Sequence, residues 1–457
     1  MSEIAIRPPW VETLRQDAEA IFEAGVEAAD PQRTLEQALR IRDDRIEIRL
    51  NLHSDDVRSE SWRRVHVIAI GKAACAMSLA VQKIIPKDMF GSRGLAVTNY
   101  ENVVDAPGFD VIGAGHPLPD DNGLAAGRAV IARLREAQVD DLVLVLISGG
   151  GSALLPCPPD EIALADKIAT TDLLLACGAD IGQFNTVRKH LSLLKGGGLV
   201  KFAAPASVHG LILSDVIGDD LSVIASGPTV PDSSTYADAI NVLESRDVWK
   251  KTPESVRRYL QDGMDGIHGE TLKPGDAIFE KMQNTLIGGN SVSLDAVYAK
   301  ATALGYPAQI YSRALCGEAR AEARTLVQNA ANKIKTANSP FALVAGGETT
   351  VILRGDGRGG RNQEMTLAFA LAAQECPVLK QWVFLSGGTD GRDGPTDAAG
   401  GLADPWTLER INAADGNAVE LLENNDSYSA LNASNDLLRI GATGTNVADL
   451  QIALCVN

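Results

Sequence analysis

The chain is 457 residues long, with 45% hydrophobic and 5% aromatic residues and a formal net charge of −17. At roughly 100–200 residues per domain this length predicts two or three domains, and aliphatic rather than aromatic cores suit helices packed on parallel strands. The negative charge argues against a nucleic acid or an anionic membrane as partner, because no surplus positive field exists to attract one.

Six cysteines, Cys75, Cys157, Cys177, Cys316, Cys376 and Cys455, are scattered without a CxxC pair. Such spacing in a chain of this length predicts reduced thiols and a cytoplasmic protein. Met1 to Trp10 lacks the basic and apolar regions of a signal peptide, and no apolar run approaches the ~18 residues of a membrane span.

The expected elements begin with helices. Apolar residues recur at helical spacing over 11–28, and Asp30-Pro31 marks the start of a second helix reaching residue 39. Val65–Ile70 is a continuous apolar run closed by Gly71, which predicts a buried strand followed by an alanine-rich helix. Further strands are expected at 95–98, 142–147 and 209–213, with helices at 120–137, 160–176 and 182–194. Residues 241–282 are charged and broken by Gly263, Gly266, Gly269 and Pro274, which predicts a partly helical connector. Alternation resumes with strands at 285–288, 308–312, 341–345, 382–385 and 447–456 and helices at 291–303, 318–334 and 363–373. This order predicts an α/β protein of two lobes, each a mainly parallel sheet flanked by helices. Residues 1–240, with a helical segment at 10–40, form the first lobe and residues 283–457 the second.

Three apolar strands end in paired glycines: Ser148-Gly149-Gly150, Gly346-Gly347 and Ser386-Gly387-Gly388. No full-length repeat underlies them. Ligands of open α/β sheets bind beyond the carboxyl ends of strands, where glycine frees backbone N–H groups for an anion. A tight turn alone explains any single pair; three at strand ends favour phosphate handling.

The common nucleotide signatures fail. A P-loop ending at Gly71-Lys72 would need glycine at His66 and Ser or Thr at Ala73, and a dinucleotide fingerprint would need glycines at Ala73 and Ala76. The protein-kinase set is absent, and a nucleophile elbow at Ser152 fails at Leu154. Six histidines form no metal-ligand pattern. What remains are charged groups beside glycines: Lys72 behind a strand, Asn185 and Arg188 ahead of Lys195-Gly196-Gly197-Gly198, Asp215 behind another strand, and Arg358-Gly359-Gly360-Arg361-Asn362 opening a helix. An amphipathic helix with a basic outer face competes for the Asn185–Lys195 stretch. The loop from Asp390 to Asp397 is dense in oxygen ligands without the EF-hand spacing.

Ten segments then occur in a recognisable order: Ile70-Gly71-Lys72-Ala73, Gly115-His116-Pro117-Leu118-Pro119, 148–155, 185–198, Leu213-Ser214-Asp215-Val216, Ser226-Gly227-Pro228-Thr229, Gly346-Gly347-Glu348-Thr349-Thr350, Gly359 to Glu364, Gly387 to Gly391 and Thr443-Gly444-Thr445-Asn446. Over nearly its whole length the chain resembles glycerate 2-kinases of the MOFRL type. The resemblance implies ATP-dependent phosphorylation of D-glycerate at its 2-hydroxyl, with Mg²⁺, in a cleft between the lobes. By that pattern Lys72 neutralises the transferring phosphoryl group, Asp215 orients or deprotonates the hydroxyl, and Arg361 grips the carboxylate or phosphate. Gly71, Ser148, Gly149, Gly150, Gly151, Ser152, Asn185, Arg188, Lys195, Gly347, Glu348 and Asn362 would bind substrate or phosphate, and Asp390, Asp393 and Glu348 are candidates for the metal. The same resemblance leaves homo-oligomerisation open. Two rivals remain: an NAD(P)H-dependent hydroxypyruvate reductase, and a non-catalytic sensor of sugar acids or nucleotides.

Overall fold

The structure, a computed structural model, describes residues 7–52, 54–336 and 339–456. Most of the stretch weighed for a signal peptide, residues 1–6, lies outside them. The chain forms two compact units, 31–287 and 1–30 with 288–457.

In the unit 31–287 a small antiparallel meander comes first: β1 (Leu39–Arg42), β2 (Arg45–Arg49) and β3 (Val57–Glu60). Sequence pattern did not reveal it, because charged residues alternate with Ile41, Ile46 and Ile48 over strands of only four or five residues. The main sheet contains β4 (Val65–Ile70), β5 (Gly94–Asn99), β6 (Phe109–Ala114), β7 (Leu142–Ile147), β8 (Ser207–Leu213) and β9 (Met282–Gly288), in the order β6-β5-β4-β7-β8-β9. From β6 to β8 every pairing is parallel. β4, β5, β7 and β8 are buried along their whole lengths, which is why they read as unbroken apolar runs. Side chains alternate between two cores. Val65, Val67 and Ala69 join Met77 of the helix Ala74–Ile84, while Ile68 and Ile70 join Val130 and Leu134 of the helix Asp121–Leu134.

The charged stretch 241–282 is not a bare connector. The helices Tyr236–Ser245 and Glu254–Met264 bury Tyr236, Leu243, Val256 and Leu260 in a core of their own with Leu174, Phe184 and Val187. Thr235 and Asp180 each close a capping box at the start of their helices, so local chemistry sets both starts.

The other unit is built on β10 (Ala308–Leu315), β11 (Phe341–Gly347), β12 (Gln381–Gly388), β13 (Gly400–Ala403), β14 (Leu437–Leu438) and β15 (Asp449–Val456), in the order β10-β11-β15-β12-β13-β14. The α/β class stands, but the expectation of a mainly parallel second sheet is corrected. Only β10 and β11 pair in parallel; the final strand enters antiparallel between β11 and β12, and β13 and β14 are also antiparallel. Direction depends on where the chain returns from, and an apolar run carries no sign of it. Leu450, Ile452 and Leu454 face a core with Leu14, Ile21 and Phe22 of the helix Pro9–Ala28, whereas Ala453 and Cys455 face Met365 and Phe369 of the helix Arg361–Gln374.

The first helix therefore belongs to the unit that ends the chain, not to a lobe spanning 1–240. Arg15, 7% exposed, donates to Asp404 Oδ2 at 2.8 Å and lies 3.0 Å from Asp436 Oδ1. Arg410 holds the same two carboxylates at 2.8–3.0 Å.

Candidate active site

The order of the main sheet fixes where a ligand can enter the unit 31–287. The chain steps from β4 outward to β5 and β6, then crosses back to β7 on the other side of β4, so the connections after the adjacent strands β4 and β7 run opposite ways. The carboxyl ends of those two central strands flank the topological switch point, where open α/β sheets leave a crevice. Gly71-Lys72 follows β4, and Ser148-Gly149-Gly150-Gly151-Ser152 follows β7.

The two turns are stitched together. Ser148 N–H donates to Ile70 O at 2.8 Å, Lys72 N–H to Gly149 O at 2.9 Å, and Ala73 N–H to Ser148 Oγ at 3.0 Å. Gly71 has φ +116°, and a Cβ there would lie 2.3 Å from Ser148 O. Gly150, at φ +82°, would press a Cβ against His116 Nε2 at 3.1 Å and Lys72 Cγ at 3.4 Å. On Gly149 the Asp215 carboxylate comes so close that a Cβ would be 2.0 Å from its Oδ2. Asp215 thus packs on Gly149, and Lys72 and His116 on the next residue, Gly150. Burial, then the Lys72 charge, holds His116 below its ordinary value, against the opposing pull of Glu101.

The helix after the turn, Gly151–Leu154, has only four residues. Any anion here is held by backbone N–H groups and side chains rather than by the dipole of a long helix.

Behind the turn, Ser152 Oγ meets Ser226 Oγ at 2.8 Å, and Ser226 Oγ donates to Asn185 Oδ1 at 2.9 Å. Ala225, Ser226 and Gly227 are consecutive left-handed residues, at φ +50°, +60° and +63°. The two that are not glycine cost about 1–2 kcal/mol each. Lys195 Nζ donates to Ser152 O at 2.8 Å and Leu155 O at 3.3 Å. Lys167 Nζ donates to Pro156 O at 2.5 Å and Leu191 O at 2.6 Å. Arg188 stacks on Phe184 at 5.0 Å, and burial lowers it to about 10.

The unit 1–30 with 288–457 carries a second cluster. Arg361 opens the helix Arg361–Gln374 and grips Asp449, at the start of β15, with Nε at 2.5 Å and Nη2 at 2.9 Å; its Nη1 lies 2.7 Å from Glu348 Oε1. Burial works against the Arg361 charge, but Asp449, then Glu348 and Asp393, outweigh it and hold the group above its ordinary value. Three of the five guanidinium N–H groups are engaged, leaving one on each Nη. Gly347 lets β10 approach so closely that a Cβ would lie 2.1 Å from Leu315 O. Glu348 N–H donates to the same oxygen at 2.8 Å.

Asp393 caps a helix. Its Oδ1 accepts Asn362 N–H at 3.2 Å and its Oδ2 accepts Gln363 N–H at 2.8 Å, closing the start of the helix that carries Arg361. Burial raises its carboxyl to about 7. Asn362 takes a bond from Ser386 Oγ at 2.6 Å. Asp390 Oδ1 accepts the N–H of Arg392 within its own loop at 2.9 Å. Among the described residues no three His, Cys, Asp or Glu side chains could together hold a metal. Asp390, Asp393 and Glu348 do not form a protein cage for Mg²⁺.

His116, Lys167, Ser226 and Asp449 were not singled out from the sequence. His116 and Ser226 stand inside motifs that were recognised, so a signal existed. Lys167 and Asp449 stand alone in ordinary helix and strand patterns and carried none.

Glycine turns at the switch point of a parallel sheet, with a lysine and a carboxylate packed against them, are the arrangement of an α/β protein that handles an anion. Comparison with known proteins narrows the class. The model described as "Domain of unknown function (DUF4147)" matches residues 17–261, and the MOFRL family model matches residues 341–449. A glycerate 2-kinase of Pyrococcus horikoshii is 40% identical, covering 94% of each chain. A protein of Agrobacterium vitis with a provisional hydroxypyruvate reductase name is 38% identical over 96% of this chain and 94% of that one. A crystal structure of a glycerate kinase from Thermotoga maritima superposes with a TM-score of 0.84 at 38% identity, covering 97% of this chain and 100% of that one. The chain belongs to the glycerate 2-kinase family of the MOFRL type.

Proposed function

We propose that this protein is an ATP-dependent glycerate 2-kinase, transferring the γ-phosphoryl group of ATP to the 2-hydroxyl of D-glycerate. One observation carries the reading: at the switch point of the sheet the Asp215 carboxylate lies against Gly149 and the Lys72 side chain against the next residue, Gly150. Phosphoryl transfer asks a protein mainly for positioning and charge stabilisation. Asp215 accepts the proton of the attacking hydroxyl. The new bond joins that oxygen to the γ-phosphorus, and the bond from phosphorus to the bridging oxygen breaks to release ADP. Lys72 offsets the charge on the transferring group. Gly149, Gly150, Gly151 and Ser152 offer N–H groups to phosphate oxygens. Mg²⁺ chelated by ATP phosphates would supply charge neutralisation and needs no all-protein cage. Six unpaired cysteines support a reducing cytoplasm, and no helix among the described residues is long and apolar enough to cross a membrane.

The test is direct. Purified protein is mixed with D-glycerate and MgATP, and products are followed by phosphorus NMR. Stoichiometric ADP and 2-phosphoglycerate are expected. Oxidation of NADH by hydroxypyruvate, with no ATP consumed when glycerate is added, would replace the kinase by a reductase.

A further inference from the structure

Two buried lysines and the half-buried Arg188 surround the segment that follows the glycine turn. Lys167 and Lys195 are 4% and 3% exposed. Their ammonium groups are met by backbone carbonyls, Pro156 and Leu191 for one, Ser152 and Leu155 for the other. Carbonyls satisfy hydrogen bonds but do not cancel charge. Burial, then the Arg188 charge, holds Lys167 well below its ordinary value, and burial, then Arg188 and Lys167, does the same to Lys195, so both ammonium groups need a nearby negative charge to stay protonated. No described carboxylate pairs with any of the three, whereas the neighbouring Lys189 has Asp232 at 3.4 Å. Buried charges left without a counter-charge cost several kcal/mol each.

Two donors beside them are also unspent. Asn185, 4% exposed, gives its Oδ1 to Ser226, and its Nδ2 has no partner; Arg188 Nε has none either. Ser226, held in left-handed backbone, links Asn185 to Ser152 at the turn.

We propose that Lys167, Arg188 and Lys195 form a cationic floor under the glycine turn, that the polyphosphate chain of the nucleotide supplies the missing negative charge, and that Lys167 is a binding determinant for it. The proposal rests on the kinase reading for the identity of the occupant. Three cations outmatch the single charge of a glycerate carboxylate, whereas two or three linked phosphates carry several. Arg188 and Asn185 donate to the phosphate oxygens. Lys195 and Lys167, pinned to carbonyls, act through their charge and hold the 152–156 segment in place.

The test uses the full chain and measures binding, so it does not depend on turnover. Isothermal titration with ADP, inorganic pyrophosphate and D-glycerate is run on wild type, Lys167→Met, Lys167→Arg and Arg188→Gln, each first shown to be folded by its circular dichroism. Lys167→Met is expected to weaken ADP and pyrophosphate at least tenfold and D-glycerate less than twofold, with Lys167→Arg restoring most of the loss. Should Lys167→Met not fold, Arg188→Gln gives the same comparison at a position without carbonyl partners. Unchanged ADP and pyrophosphate affinity in folded Lys167→Met or in Arg188→Gln overturns the proposal, as does an equal loss for D-glycerate. Tenfold weaker pyrophosphate binding in a protein that never phosphorylates glycerate would sustain the floor and sink the kinase reading instead.

Discussion

At the scale of single residues, charge and backbone freedom decide the chemistry. Lys72→Ala should lower kcat by about 10²–10³-fold, the usual effect of removing one group that stabilises developing charge, with little change in the KM for glycerate. A coupled ADP-release assay measures both constants. Asp215→Asn keeps the shape of the side chain and removes the base. Its rate should fall by about 10²–10⁴-fold, and a near-wild-type rate at neutral pH would remove the proton-acceptor role. Gly150→Ala meets two obstacles, a left-handed φ and the His116 ring at 3.1 Å. It should cost activity as the turn shifts, readable as a raised KM for ATP. Lys72 and Asp215 each follow an apolar run closed by a turn, but a lone lysine at a strand end is ordinarily a solvated surface residue, and the ordered motifs of the family were what singled the two out. Lys167 could not be picked out from the sequence, since a lysine within a helical stretch is ordinarily solvated, and only the packing of the helix Leu164–Ala176 shows it pointing inward.

At the scale of elements, the start of the helix Arg361–Gln374 ties geometry to pH. The Asp393 carboxyl stands at about 7, above its unfolded value, because burial outweighs the two N–H donors it caps. The folded state therefore binds this proton more tightly than the unfolded state, so folding stability falls as pH rises from the ordinary carboxylate range to about 7. Asp393→Asn should flatten that part of the profile, and urea titrations at several pH values measure it. A profile identical to wild type would show that Asp393 does not titrate there. Elements were unequally legible. Fully buried strands such as β7 stand out as apolar runs, but the strand order, and the antiparallel entry of β15 between β11 and β12, did not. The helical layer at 236–264 was legible only as a partly helical connector, because its charged outer face and its glycines obscured the apolar face that it buries.

For the whole molecule, the division into units follows burial rather than chain order. The helix Pro9–Ala28 lies at one end of the sequence, yet it supplies Leu14, Ile21, Phe22 and Arg15 to the unit that ends the chain. A chain of residues 31–287 alone should unfold cooperatively in urea. Residues 288–457 alone should not, and adding residues 1–30 should restore a sharp transition. Arg15→Met should destabilise that unit by about 3–5 kcal/mol at most, since it leaves two buried carboxylates with one fewer cation. Arg410 reduces the loss by holding both.

The sequence by itself determined the α/β class, the glycine turns at strand ends and the family, because these depend on local periodicity and on ordered motifs. Tertiary structure alone decided which charges are buried without counter-charges, which carboxylate holds Arg361, and which unit owns the first helix. Those are contacts between residues far apart in the chain: Arg361 and Asp449 are 88 positions apart, Arg15 and Asp404 389. Pattern along a chain reports a residue's neighbours in sequence, whereas charge, burial and hydrogen bonding act through neighbours in space.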